Sequence, residues 1–284
     1  GMDGLSFLEK IMTLRPMPVI MVSTLTQKGA GETIRALEIG AVDYLGKPVH
    51  SQTRDTLMVL REDLVEKVRM AAQANVIHRS TATAQEDSNV ISYSPYSGVE
   101  QRMIAIGSST GGVEALRDIF LTLPANCPPI VMTQHMPASF TGSFAKRLDG
   151  LSQLTVAEAH NGAKLLPGHA WLAPGGKQLT VVKRPTGLVC KVEEGPLVSG
   201  HCPSVDVLFE SAAIAAGSKA VGVILTGMGK DGAEGLLKMR KAGAYTIGQS
   251  QSSCVVYGMP RVAMEVGAVQ KQLPLLDIDR KSVV

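Results

Sequence analysis

Cysteine is scarce in this sequence: four residues, Cys127, Cys190, Cys202 and Cys254, are scattered without a CxxC pair. That spacing argues against a disulfide framework or a structural zinc site and predicts reduced core thiols. Aromatic side chains make up only 4 % of the chain and the formal charge is only +3. Neither a base-stacking platform nor a nucleic-acid footprint is expected from such a composition. No apolar run reaches the roughly 18 residues that a membrane-spanning helix requires, and the first residues lack a basic start and a signal-peptide core. No two histidines fall at i, i+4 on one predicted helix, so no metal or other cofactor is expected. These absences place the chain among globular proteins, and a cytoplasmic location is the expectation.

What is present is a regular alternation. "DGLSFLEKIMTLRP" is an amphipathic helix with Leu5, Leu8, Ile11 and Met12 on one stripe, so the sequence opens in mid-element. A strand over 18–23, a helix over 31–40, a strand over 42–46 and a helix over 56–72 follow. Strands separated by helices predict a parallel sheet. Between 74 and 100 the periodicity dissolves into Ser, Thr, Ala and Asn, as in an interdomain linker; His78 within it receives no role. From Met103 the alternation resumes, with strands at 103–106, 130–133, 154–158, 221–225, 245–248 and 268–272. Helices are predicted at 113–122, 139–149, 204–216, 233–241 and 260–266. A β-rich insert is expected over 169–194, turning at Pro185 to Gly187. The fold class is therefore α/β. A doubly wound, mostly parallel catalytic domain (101–279) carries a small hairpin insert, follows an N-terminal unit (1–73), and ends in a short tail (280–284).

Ligands of an open parallel sheet sit beyond the carboxyl ends of its strands, where loops meet helix N-termini. Three polar groups fall there: Ser108-Ser109 after "MIAI", His135 after "IVMT", and Asp231 in "TGMGKDG" after "VGVIL". A hydroxyl nucleophile needs a base, and the base needs an orienting carboxylate. Each residue has a plainer reading. "GSSTGG" could cradle a phosphate, although GxxxxGK[ST] and GxGxxG are both missing. Asp231 could be the N-cap of the helix that begins near Ala233. Asp206 could cap or favour the dipole of helix 204–216, and His160, His169 and His201 read as loop or edge residues. A nucleotide- or phosphate-binding protein and an inactive interaction module therefore stand beside the hydrolase reading.

The segments "IGSSTGG", "TQHMPASFTGSFAKRL", "LPGHAWLAPGGKQL", "PSVDVLFESAA", "VGVILTGMGKDGAEGL" and "SSCVVYGMPR" together resemble the chemotaxis protein-glutamate methylesterase family across 101–279. The stretch from "MDGLSFLEK" to "GAVDYLGKPV" is similar to the second half of the flavodoxin-like response-regulator receiver that precedes the esterase in that family. The resemblance implies Ser109 as nucleophile, His135 as base, Asp231 as the group holding the imidazole, and the backbone amide of Met228 as oxyanion donor. It also implies a γ-glutamyl methyl ester on the cytoplasmic helices of a chemoreceptor as substrate, deamidation of certain receptor glutamines, and a histidine kinase as partner of an intact receiver. Ser23 and Lys47 match the receiver residues that respond to a phosphoryl group. The aspartate that accepts that group has no counterpart in the sequence, so no phosphorylation is expected, and 18–23 is expected to present an apolar edge open to self-pairing.

Overall fold

A computed structural model of the chain describes residues 3–23, 27–47, 54–76 and 102–282. The predicted linker lies almost wholly outside them, and His78 with it. The N-terminal unit comprises α1 (Gly4–Leu14), β1 (Ile20–Ser23), α2 (Gln27–Ile39), β2 (Asp43–Gly46) and α3 (Arg54–Ala71). Asp3 caps α1 by accepting from the amide of Ser6 at 2.9 Å. β1 and β2 pair in parallel, and Val22 on β1 is 51 % exposed.

The larger unit opens with β3 (Met103–Ser108), α4 (Gly112–Thr122), β4 (Ile130–Gln134), α5 (Ala138–Asp149), β5 (Thr155–Glu158) and β6 (His169–Leu172). It continues through β7 (Gln178–Arg184), β8 (Gly187–Glu193), α6 (Val205–Ala216), β9 (Ala220–Ile224) and α7 (Ala233–Lys241). β10 (Tyr245–Gln249), α8 (Met259–Glu265), β11 (Lys271–Leu273) and α9 (Leu275–Ser282) complete it. Seven strands form one parallel sheet in the order β11-β10-β9-β3-β4-β6-β5. β3 is buried along its whole length, as a central parallel strand must be with helices on both faces. Ile104 and Ile106 point into the core shared with α4, α5 and the N-terminal unit, whereas Met103 and Ala105 point into the core shared with α6, α7 and α8. The period of two along one strand thus divides the domain into its two layers.

Three sequence boundaries change. His169–Leu172 is no part of an insert: it joins the main sheet as β6, between β4 and β5, and only β7 and β8 form the separate antiparallel hairpin. A four-residue strand bounded by Gly and Pro carries too little periodicity to declare which sheet it enters. The apolar pair Ala268-Val269 closes the end of α8 rather than starting a strand, with the Ala268 amide donating to the carbonyl of Ala263. Finally, α9 runs to Ser282, beyond the boundary drawn at 279.

Winding starts at β3, proceeds through β4 to one edge, then returns to β9 on the other side of β3. The point of reversal lies between β3 and β9, where an open α/β sheet leaves a crevice. Against this edge packs the N-terminal unit. Leu8, Ala30, Ile34, Ala36 and Leu37 share one continuous core with α4 and α5, and the ring of Tyr44 lies 5.1 Å from that of Phe140.

Candidate active site

The segments that follow β3, β4 and β9 are tied together at the crevice before any side chain takes part. The amide of Ser109 donates to the carbonyl of Thr226 at 3.0 Å, and that of His135 to the carbonyl of Ser108 at 3.1 Å. The first bond and the one from the Gly112 amide to the Ser109 carbonyl (2.8 Å) occupy two of the amides that a phosphate cradle would need. Gly111 turns the chain into α4 with φ of 78°, and a Cβ on Gly112 would lie 2.1 Å from Oε1 of Gln134. Both glycines are therefore required for the turn to sit this close to β4.

The two serines face different surroundings. Ser108 is fully buried, and its hydroxyl donates to Oε1 of Gln134 at 2.7 Å. Gln134 in turn donates through Nε2 to the carbonyls of Ser109 (2.9 Å) and His135 (3.2 Å). Ser109, one residue beyond the strand, is half-buried and lines a cavity of about 400 Å³ together with His135, His201 and Met228. Replacing Ser108 by alanine removes one buried hydrogen bond. It leaves the buried Oε1 of Gln134 without its donor, should cost about 1–3 kcal/mol in urea unfolding and should leave most of the hydrolytic activity; loss of activity as complete as for Ser109 would reverse the assignment of the nucleophile.

His135 and Asp231 meet directly, Nε2 donating to Oδ2 at 2.8 Å. A carboxylate can only accept, so the proton resides on Nε2 and the lone pair on Nδ1. Nδ1 is buried and has no hydrogen-bond partner among the described residues. Among the described residues this nitrogen and the Thr133 hydroxyl are the buried side-chain polar atoms left without one.

Asp231 is 1 % exposed, yet it carries four hydrogen bonds. Oδ1 accepts from the Ser204 hydroxyl (2.7 Å) and the Asp206 amide (3.0 Å), and Oδ2 accepts from the Val205 amide (2.7 Å) as well as from His135. The sequence allowed Asp231 to cap α7, but Gly232 holds that position with φ of 90° and no side-chain bond. The carboxylate instead sits at the N-terminus of α6, where free amides and the helix dipole favour an anion. Burial by itself raises its pKa; the bonds from His135 and from the amides of Asp206 and Val205 outweigh burial and hold it at about 2.

Asp206 does not cap α6 either. Ser204 is the N-cap, and Asp206 is buried in the first turn, accepting from the Gly235 amide at 2.8 Å and the Ser199 hydroxyl at 2.9 Å. Burial raises its pKa, with the neighbouring Asp231 adding to the rise.

His201 is the largest departure from the sequence reading. Its ring stacks on that of His135 with centroids 3.6 Å apart and planes 13° from parallel. Burial, and then the adjacent His135, push its pKa down to about 4. A histidine uncharged in the fold but protonated when unfolded makes the protein less stable as pH falls from about 6.5 towards about 4. H201F keeps a ring on His135 without titrating, so the drop in melting temperature between pH 7.5 and pH 5 should be smaller for this variant than for the wild type. His160 and His169 remain at the surface, beside Trp171.

The N-terminal unit forms one wall of the cavity. Asp43 accepts from the hydroxyl of Thr110 at 2.9 Å and pairs with Lys67 at 3.3 Å. All four cysteines are free thiols; burial pushes Cys127, Cys190 and Cys254 up to about 12. Among the described residues no three His, Cys, Asp or Glu side chains are grouped to hold a metal ion, and no helix is long and apolar enough to cross a membrane.

The structure brings His135 and Asp231 into contact and places Ser109 in the same cavity, and these are the residue types that a serine-nucleophile hydrolase uses. Residues 104–281 match the family described as CheB methylesterase. The chain is 56 % identical over 277 residues to the protein-glutamate methylesterase/protein-glutamine glutaminase 1 of Caulobacter vibrioides, covering 97 % of this chain and 78 % of that protein. To the protein-glutamate methylesterase/protein-glutamine glutaminase of Pectobacterium atrosepticum it is 49 % identical, covering 99 % and 79 %. The crystal structure of the Thermotoga maritima CheB methylesterase catalytic domain superposes with a TM-score of 0.63 at 40 % identity, covering 65 % of this chain and 98 % of that one. The chain belongs to the CheB methylesterase family.

Proposed function

We propose that the chain hydrolyses γ-glutamyl methyl esters of chemoreceptors, with Ser109 as nucleophile, His135 as base and Asp231 as the group that fixes the base. The observation that carries this reading is the Nε2 bond to Asp231, which leaves Nδ1 as a buried, unpartnered lone pair on the residue that shares a cavity with Ser109. Nδ1 takes the serine proton as Oγ forms a bond to the ester carbonyl carbon. The backbone amide of Met228, which lines the same cavity, serves the oxyanion. The carbon–methoxy bond breaks, the methoxy oxygen takes the proton from Nδ1, and methanol leaves. Water then repeats the sequence on the acyl-enzyme, freeing the receptor's γ-glutamyl carboxylate and returning the proton to Oγ of Ser109.

The same steps with ammonia as leaving group deamidate a glutamine, the second activity printed in the names of the relatives. The partner is accordingly the cytoplasmic domain of a methyl-accepting receptor, reached from the cytoplasm, and a histidine kinase is the partner of an intact receiver. Methanol release from methylated receptor membranes, compared between the wild type and S109A, tests the reading; equal release from both overturns it.

A further inference from the structure

Behind the wall that closes the active-site cavity lies a second cleft, of about 630 Å³, between α2, α4 and α5. Its α4–α5 side carries Arg117, Lys146 and Arg147, and its α2 side carries Glu38 and Arg35, the latter paired with Glu9 on α1. The two cavities are neighbours on both walls. On α4, Val113 and Glu114 line the first and Arg117 the second; on α2, Leu37 lines the first and Glu38 the second. A separation of three or four residues is one helical turn, about 5 Å. The cationic strip therefore begins about one turn from the walls that enclose Ser109.

One contact in this cleft has the form of ligand recognition. The Arg147 guanidinium binds Glu38 through two nitrogens, Nε at 3.0 Å and 3.3 Å from the carboxylate oxygens and Nη2 at 3.1 Å. The Glu38 side chain is only 7 % exposed in that grip, whereas Arg147 is 50 % exposed. The planar fork of arginine matches a carboxylate in both distance and direction. A helix bearing a glutamate is thus already seated on the strip. The proposed substrate is a protein segment that presents glutamyl side chains, and each ester hydrolysed leaves one more carboxylate on it.

Resting on the functional reading above, we propose that Arg117, Lys146 and Arg147 form a docking surface for an acidic helical segment of the methylated receptor. In this proposal α2 occupies the place of that segment, with Glu38 standing where a receptor carboxylate goes. Receptor and α2 then compete for one arginine, and displacement of α2 frees Arg147 from Glu38.

The two halves of the ion pair make the test. E38Q and R147Q break the same contact, but only R147Q removes a docking cation. With a free, soluble γ-glutamyl methyl ester, too small to span the strip, the two variants should give equal rates. With methylated receptor membranes, KM for R147Q should exceed that for E38Q about three- to fivefold, the range of a single partly exposed ion pair. The gap should narrow as ionic strength rises. K146Q, which leaves the Glu38–Arg147 pair in place, should raise KM for the membranes as well. Equal membrane KM for E38Q and R147Q would make Arg147 a latch for α2 alone and overturn the proposal, as would a difference of the same size on the small ester. Absence of methanol from the wild type with either substrate is a separate result, which overturns the functional reading and this inference with it.

Discussion

Replacing Ser109 by alanine should abolish methanol release, a loss on the order of 10⁶-fold in kcat by comparison with other serine triads. The reason is local: without Oγ the Nδ1 lone pair of His135 has no hydroxyl to deprotonate, and no acyl-enzyme can form. Folding should be unaffected within about 0.5 kcal/mol, since Ser109 is half-buried and the bonds that shape its turn come from its backbone and from Gln134. Methanol assay and thermal melt together check both halves. A variant that retained a tenth of the wild-type rate would return the loop to a binding role.

Asp231→Asn should be the second largest lesion, and it should damage catalysis and stability together. In the wild type each carboxylate oxygen accepts one backbone amide, Oδ1 from Asp206 and Oδ2 from Val205. An asparagine has one acceptor oxygen, so in either orientation its amide nitrogen confronts a backbone N–H that it cannot bond. That conflict should cost about 1–3 kcal/mol. Where the nitrogen replaces Oδ2, it also donates to His135, forcing the proton from Nε2 to Nδ1 and removing the base. Elsewhere, loss of the correct tautomer costs about 10⁴-fold in kcat, and a similar loss is expected here. Acid titration gives an independent check. A carboxylate held at about 2 contributes stability that is complete above its ordinary value of 3.8 and is lost as pH falls towards 2, so the fall in stability between pH 4 and pH 2 should be shallower in the variant. Wild-type methanol release from D231N would reduce Asp231 to a structural cap.

The placement of Ser109, His135 and Asp231 at one edge could be read from the sequence because each follows a short apolar run that the alternation marks as a parallel strand. The rule that such strands present their carboxyl ends together does the rest. What surrounds those residues was less legible. Gln134 sits at the end of a fully buried strand, and a lone amide in that position is a signal that some neighbour must satisfy it. Two of its three partners, however, are brought in by β3 and the residue that follows it. Ser204 carries the ordinary signature of an N-cap, but nothing local reveals that its hydroxyl also reaches a carboxylate 27 residues away. His201 lies in a loop before α6, and only the packing of α6 against β3 and β4 lays its ring on His135. Short strands failed for a different reason: β6 has four residues, and its place in the main sheet is decided by the buried Ala170 and Leu172 meeting strands on either side.

Asp231 bonds the imidazole of His135 and also closes the end of α6, so on the proposed mechanism one side chain serves both the chemistry and the fold. A descendant that had abandoned hydrolysis could discard its serine or its histidine at little structural expense, while the acid at 231 would persist to keep α6 seated. Within this fold, a silent pseudoenzyme should betray itself at 109 or 135 long before it does at 231.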